Sequence, residues 1–266
     1  MDRDAGHGKL KAMTALVTPR LGRFRQILGI RFFTGDVHEA ITMMKNGGLL
    51  VVPAAPALKN LPRDAEYREA LLNSDVAITD SAMMVLIWNL LERDKIRRLS
   101  GLEYFSELAR QPELLVPGGC FWIMASKNSA RTNLHWLREQ GIAVTDEDVY
   151  IAPFYPGAIV DTVLLERLSV RRPKHIVITI GGGNQERLGL YLKRSLDYQP
   201  SIHCVGAAIA FMSGDQVFIP MWADKLRLGW LFRCISSPGR YLPRYWGARS
   251  LLGLLVKYRD QLPIEG

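Results

Sequence analysis

The sequence predicts an α/β fold: a mostly parallel sheet with helices on both faces, followed by a basic, helical C-terminal segment. Three observations predict it. Short apolar runs without polar alternation recur through the middle of the chain, as strands buried on both faces require. The runs alternate with helical stretches, several only a few residues on, so the units read strand, loop, helix. The charge is displaced to the ends. Of the net +8 over 266 residues, eight basic and no acidic residues fall in 225–259, and residues 1–31 hold seven basic against two acidic. With the last seven residues at −2, the centre carries −3. At 48% hydrophobic the chain has enough apolar surface to fold, which excludes a disordered class. These shifts divide it into a basic N-terminal extension (1–31), a core (32–224) and a basic, aromatic C-terminal appendage (225–266).

The elements follow in order. Leu49-Leu50-Val51-Val52, after two glycines, is a buried strand. Residues 64–73 read as helix, Val76 to Thr79 as a strand ending at Asp80, and 81–93 as an apolar helix. Phe121 to Met124 is a strand opened by Pro117-Gly118-Gly119, with an amphipathic helix over 127–140. Val149-Tyr150-Ile151 is a weaker strand, followed beyond a Pro/Gly loop by a helix over 159–172. The clearest unit is the strand 175–180, the loop Gly181-Gly182-Gly183 and a helix from Asn184. A last strand, Ile202 to Val205, leads into Gly206. Substrates of such sheets bind at the carboxyl ends of the strands.

Candidate chemistry sits on that edge. Gly181-Gly182-Gly183 between strand and helix reads either as a tight turn or as a backbone cradle for a diphosphate. It lacks both the dinucleotide and the P-loop fingerprint. Gln185 and Glu186 open the following helix, where a carboxylate also gains from the helix dipole. Asp80 reads either as a helix N-cap or as a general base at the sheet edge. In the appendage, Arg233, Arg240 and Arg244 interleave with Trp230, Tyr241, Tyr245 and Trp246, a pattern suited to a phospholipid interface or to bidentate diphosphate binding. The five histidines and three cysteines show no metal-ligand spacing, so no metal and no cofactor are expected. No run reaches membrane-spanning length, and no signal-peptide core precedes Arg20.

Taken in order over residues 34–246, these segments resemble the WecG/TagA/CpsF glycosyltransferases. Ile78-Thr79-Asp80 matches the start of the family's Asp-Gly-x-Gly, and Arg98 to Glu103 its Arg-x-x-Gly-x-Asp. Gly181 to Glu186 resembles Gly-x-Pro-x-Gln-Glu. Pro220-x-Trp222, Trp230 to Arg233, and Pro238-x-Arg240 with Arg244-Tyr245 resemble its C-terminal signature. The resemblance implies a Rossmann-like core and a metal-independent, inverting transfer from a UDP-sugar donor to a polyprenyl-diphosphate-linked sugar. Asp80 would be the base. Gly181, Gly182, Gly183, Gln185, Glu186 and Arg98 would bind the donor, the glycine loop and Arg98 at its diphosphate and Gln185 and Glu186 at its nucleoside or sugar hydroxyls. Arg233, Arg240 and Arg244 would meet the acceptor diphosphate or an anionic membrane, with the protein peripheral on the cytoplasmic face of a bacterial inner membrane. Self-association is a further expectation.

The departures lie near the implied donor pocket. Pro53-Ala54-Ala55 replaces the family's Thr-x-Asn, and Ser81 and Met83 replace two glycines. The loss of Thr-x-Asn turns the expectation toward a plain hexose, glucose, rather than N-acetylmannosamine or its uronic acid, as the transferred sugar in exopolysaccharide or envelope-glycan assembly. A nucleotide-dependent oxidoreductase would need a glycine-rich turn where Pro53 to Pro56 stand. A nucleic-acid-binding role would rest on the basic end alone, and none is expected. A non-catalytic scaffold is the remaining rival.

Overall fold

The computed structural model describes residues 23–226 and 228–264, the side chains of Arg240 and Arg244 excepted. The expected extension up to residue 22, and Arg227, lie outside the described residues. In chain order the elements are β1 (Phe24–Ile27), β2 (Ile30–Phe33), α1 (Val37–Met44), β3 (Gly48–Val51), α2 (Ala55–Leu58), α3 (Ala65–Leu72), β4 (Val76–Ile78), α4 (Ala82–Glu92), α5 (Gly101–Leu108), α6 (Pro112–Leu115), β5 (Cys120–Met124), α7 (Lys127–Glu139), β6 (Val149–Ile151), α8 (Thr162–Arg171), β7 (His175–Ile178), α9 (Asn184–Ser195), β8 (Ser201–Cys204), α10 (Ala208–Ser213), α11 (Met221–Lys225), α12 (Gly229–Ser236), α13 (Pro238–Gly247) and α14 (Ser250–Tyr258).

The strands form one sheet in the order β1-β2-β4-β3-β8-β7-β5-β6. Only the β1–β2 pair is antiparallel. Residues 24–31 of the basic N-terminal stretch therefore belong to the sheet, as a hairpin turned by Leu28 and Gly29, both at positive φ. Alternate residues of one strand serve opposite faces. Phe121 and Ile123 join the core under α4, α9 and α14, while Trp122 and Met124 join the core under α5 and α7. Both sets are fully buried, which is why these strands read as unbroken apolar runs.

Helix starts are chemically marked. Asp36, Asp64, Ser81, Ser100, Ser126 and Asp161 each accept a hydrogen bond from the third helical N–H of the helix that follows. The C-terminal segment folds back onto the core. Leu251 and Leu255 of α14 are fully buried against the α4 side. The Leu28 and Gly29 N–H groups donate to the Arg259 and Asp260 carbonyls, at 2.7 and 2.9 Å. Among the described residues no helix is long and apolar enough to cross a membrane.

β3 and β8 lie side by side, yet the chain leaves β3 toward β4 and enters β8 from β7. That reversal opens a crevice at the carboxyl ends of the strands, where α/β sheets bind ligands.

Candidate active site

Two groups of residues flank this crevice. The register puts Ala77, Val51, Cys204 and Ile178 on one row across β4, β3, β8 and β7. Asp80 and Gly181 both follow that row by three residues. Three strand spacings of about 4.8 Å set them about 14 Å apart along the same edge.

At the β4 end, the structure separates Asp80 from the capping role that sequence left open. Ser81, not Asp80, caps α4, accepting from the Met84 N–H at 3.2 Å. The Asp80 carboxylate turns toward α5 instead. Its Oδ1 accepts from the Gly101 N–H at 3.0 Å and from Arg98 Nη2 at 3.4 Å. The Asp80 side chain is 22% exposed, so the carboxylate is held without being sealed off. Gly101 is required where it stands, because a Cβ there would come within 2.8 Å of Val52 Cγ1 at the end of β3.

Arg98 is fully engaged. Nε donates to the Asp80 carbonyl at 2.7 Å, Nη1 to the Asp224 carbonyl at 3.0 Å, and Nη2 to Asp224 Oδ1 at 3.0 Å. Burial alone would lower its pKa, but the two carboxylates outweigh burial and raise it. The guanidinium expected to bind a donor diphosphate is thus committed to Asp80 and Asp224. Asp224 and its partner Ser100 were not among the residues expected from sequence. The one signal for Asp224 is its position as the last acid before the basic run.

At the β7 end, Gly182, Gly183 and Asn184 line a cleft of about 180 Å³, with Pro56, Ala57, Asn60, Asp64 and Tyr67 on the facing side. Gly183 has φ +95°, a conformation that side chains rarely adopt. Gln185 and Glu186, expected to touch donor hydroxyls, are both buried. Glu186 Oε2 accepts from the Gly183 N–H at 2.6 Å and Oε1 from Gln185 Nε2 at 2.9 Å, so the pair fixes the glycine loop from beneath. The Tyr67 hydroxyl is buried without a partner beside this cleft. Burial, then the charges of Glu186 and Asp64, push its pKa up.

Burial also raises Glu186 from 4.5 to about 7, against the lowering effect of its hydrogen bonds. The folded protein then holds this proton more tightly than the unfolded chain. The resulting stability is complete below pH 4.5 and is lost as pH rises toward 7. Glu186→Gln, which mimics the protonated form, is expected to gain about 3 kcal/mol relative to the parent between pH 4.5 and 8. Urea unfolding of both proteins at the two pH values measures it, and parallel pH profiles would refute it.

In the appendage, the Arg233 guanidinium lies over the Phe211 ring at 4.2 Å, and Nη1 donates to the Tyr245 hydroxyl at 3.2 Å. Its Nε is buried and unpartnered. Arg240 and Arg244 fall on α13, which packs near α2; their side chains lie outside the described residues. No cluster of three or more His, Cys, Asp or Glu that could hold a metal occurs among the described residues.

The description "Glycosyl transferase WecG/TagA/CpsF family" matches residues 25–263. Among curated proteins, the chain is similar to an N-acetylglucosaminyldiphosphoundecaprenol N-acetyl-beta-D-mannosaminyltransferase of Bacillus subtilis. The two are 22% identical over 69% of this chain and 71% of the relative. A protein of the same name from Bacillus spizizenii is 21% identical over 78% of this chain and 80% of its own length.

Proposed function

The chain belongs to the WecG/TagA/CpsF glycosyltransferase family, and from that premise we propose that it transfers an N-acetylmannosaminyl group from a UDP-linked donor to an N-acetylglucosaminyl-diphosphate carried on a polyprenol. The observation that carries this reading is Asp80, a held but accessible carboxylate freed from capping by Ser81. In the proposed step an acceptor hydroxyl attacks the anomeric carbon from the face opposite the leaving group. Its proton passes to the Asp80 carboxylate, and the bond from the anomeric carbon to the β-phosphate oxygen breaks to release UDP. Negative charge grows on the departing diphosphate. The loop Gly181-Gly182-Gly183 with the N-terminus of α9, together with Arg233, Arg240 and Arg244, is proposed to stabilise it. Gln185 and Glu186 hold that loop in shape. Arg98 serves Asp80 rather than the diphosphate.

The relatives' names favour N-acetylmannosamine over the glucose that the altered donor motif points to. A plain hexose stays as a second reading because Pro53-Ala54-Ala55, at the end of β3, offers no side-chain hydroxyl or amide to an N-acetyl group. A transfer assay with N-acetylglucosaminyl-diphosphoprenol and a panel of UDP-sugars decides between them. An N-acetylmannosaminyl product supports the first reading, a glucosyl product the second. No disaccharide-lipid from any donor would overturn both.

The acceptor's lipid places the reaction at a membrane surface, and we assign that contact to the appendage. Trp230, Ile235, Leu242 and Trp246 are about half to three-quarters exposed there, and Arg249 stacks on Trp246 at 4.2 Å. Deleting 225–266 would also strip Leu251 and Leu255 from the core, so point variants are the cleaner test. Ile235→Ser with Trp246→Ser is expected to reduce co-sedimentation with anionic liposomes at unchanged melting temperature. Undiminished binding would place the contact elsewhere.

A further inference from the structure

Asp224 stands immediately before the basic run, on α11, and is only 7% exposed. Its two carboxylate oxygens are divided between two partners. Oδ1 accepts from Arg98 Nη2 at 3.0 Å, the same nitrogen that reaches Asp80 Oδ1 at 3.4 Å. Oδ2 accepts from the Ser100 hydroxyl at 2.5 Å. Two carboxylates therefore share one guanidinium, and the cluster as a whole carries one negative charge. Among the described residues, two neighbouring charges are turned elsewhere. On α5, Glu103 is paired with Arg97 at 3.0 Å. On α12, Arg233 is turned onto Phe211. Gly229, which opens α12, presents no side chain where a Cβ would sit 3.9 Å from Asp224 Oδ1.

We infer that Asp224 is a positioning residue for the transfer reaction: it anchors Arg98 and offsets its charge, so that Asp80 is oriented by the guanidinium without being tied into a one-to-one ion pair. This rests on the reading of Asp80 as the base. The physical reason is that a cation beside a carboxylate stabilises its ionised form and weakens it as a proton acceptor. A second carboxylate on the same nitrogen draws the cation's field away. An asparagine could keep a hydrogen bond to Arg98 and exchange one with Ser100 after rotation of the hydroxyl. What it lacks is the charge.

The test compares an isosteric neutral residue with a longer charged one. Asp224→Asn is expected to lower kcat about tenfold, a partial loss beside the roughly hundredfold or more that a general base contributes, with KM for the acceptor and calorimetric affinity for UDP little changed. Asp224→Glu is expected to recover most of that loss. If the glutamate variant is the worse of the two, or the loss appears in KM and UDP affinity instead of kcat, Asp224 is structural and the inference fails. Should Asp224→Asn not fold, the double variant Arg98→Gln with Asp224→Asn replaces it. With the cation gone Asp224 has no charge to offset, so the double variant is expected to match Arg98→Gln alone, and a further loss of about tenfold on that background overturns the inference. Asp80→Asn in the same assay separates the two levels. Normal turnover there removes the base itself. An inactive Asp80→Asn beside unaffected Asp224 variants removes only the role given to Asp224.

Discussion

Asp80→Asn is expected to cut sugar transfer by about two to four orders of magnitude, the usual contribution of a positioned general base, while UDP binding stays near that of the parent. The amide is nearly isosteric, and its oxygen can still accept from the Gly101 N–H that the aspartate holds at 3.0 Å. The start of α5 should therefore stay in place, and the loss should appear in kcat rather than in fold. Single-turnover transfer with saturating donor, read beside calorimetric titration of UDP, separates the two. Turnover within a few-fold of the parent would remove Asp80 from its role.

Arg98→Ala is expected to be the most destabilising single change near the site. It withdraws the cation that Asp80 and Asp224 share, and the Arg98 and Asp224 side chains are only 16% and 10% exposed. Breaking a buried pair leaves an uncompensated charge and costs about 3–5 kcal/mol, which for a chain of this size lowers Tm by roughly 10 °C. It also removes the bonds to the Asp80 and Asp224 carbonyls, so α11 loses its tie to the β4 edge. Activity should fall with stability, and a thermal melt beside the transfer assay reads both. A Tm within 2 °C or so of the parent would show that the charges are more solvated than their burial implies.

The membrane-facing reading of the appendage and the cradle reading of the glycine loop drew on the same property, positive charge offered to phosphate. They occupy different places in the fold. The loop lies at the β7 edge beside the cleft, with Glu186 buried beneath it. The exposed Trp230 and Trp246 lie on α12 and α13.

Much of the fold was legible because it is locally encoded. The apolar runs at 49–52, 76–79, 121–124 and 175–180 became β3, β4, β5 and β7 within a residue or two, except that β7 stops at Ile178. The N-caps at Asp64, Ser81 and Ser126 lie within a residue of where the helical patterns begin. The β1–β2 hairpin escaped because its four-residue strands carry Arg25, Gln26 and Arg31, so that charge masked the alternation on either side of Leu28-Gly29. Arg98 and Asp80 were singled out, each for a different task, but their partnership was not visible across 18 positions.

The sequence by itself determined the strand–helix alternation, the family, and the carboxylate and glycine loop on the carboxyl edge, because residue periodicity, capping and motif order are properties of neighbouring positions. Only the tertiary structure decided the strand order, the burial of Glu186 beneath its loop, and the meeting of Arg98 with Asp224 across 126 positions. Such contacts are set by how the sheet twists and the helices pack. A charged pair becomes strong only where that packing excludes water, which no local pattern records.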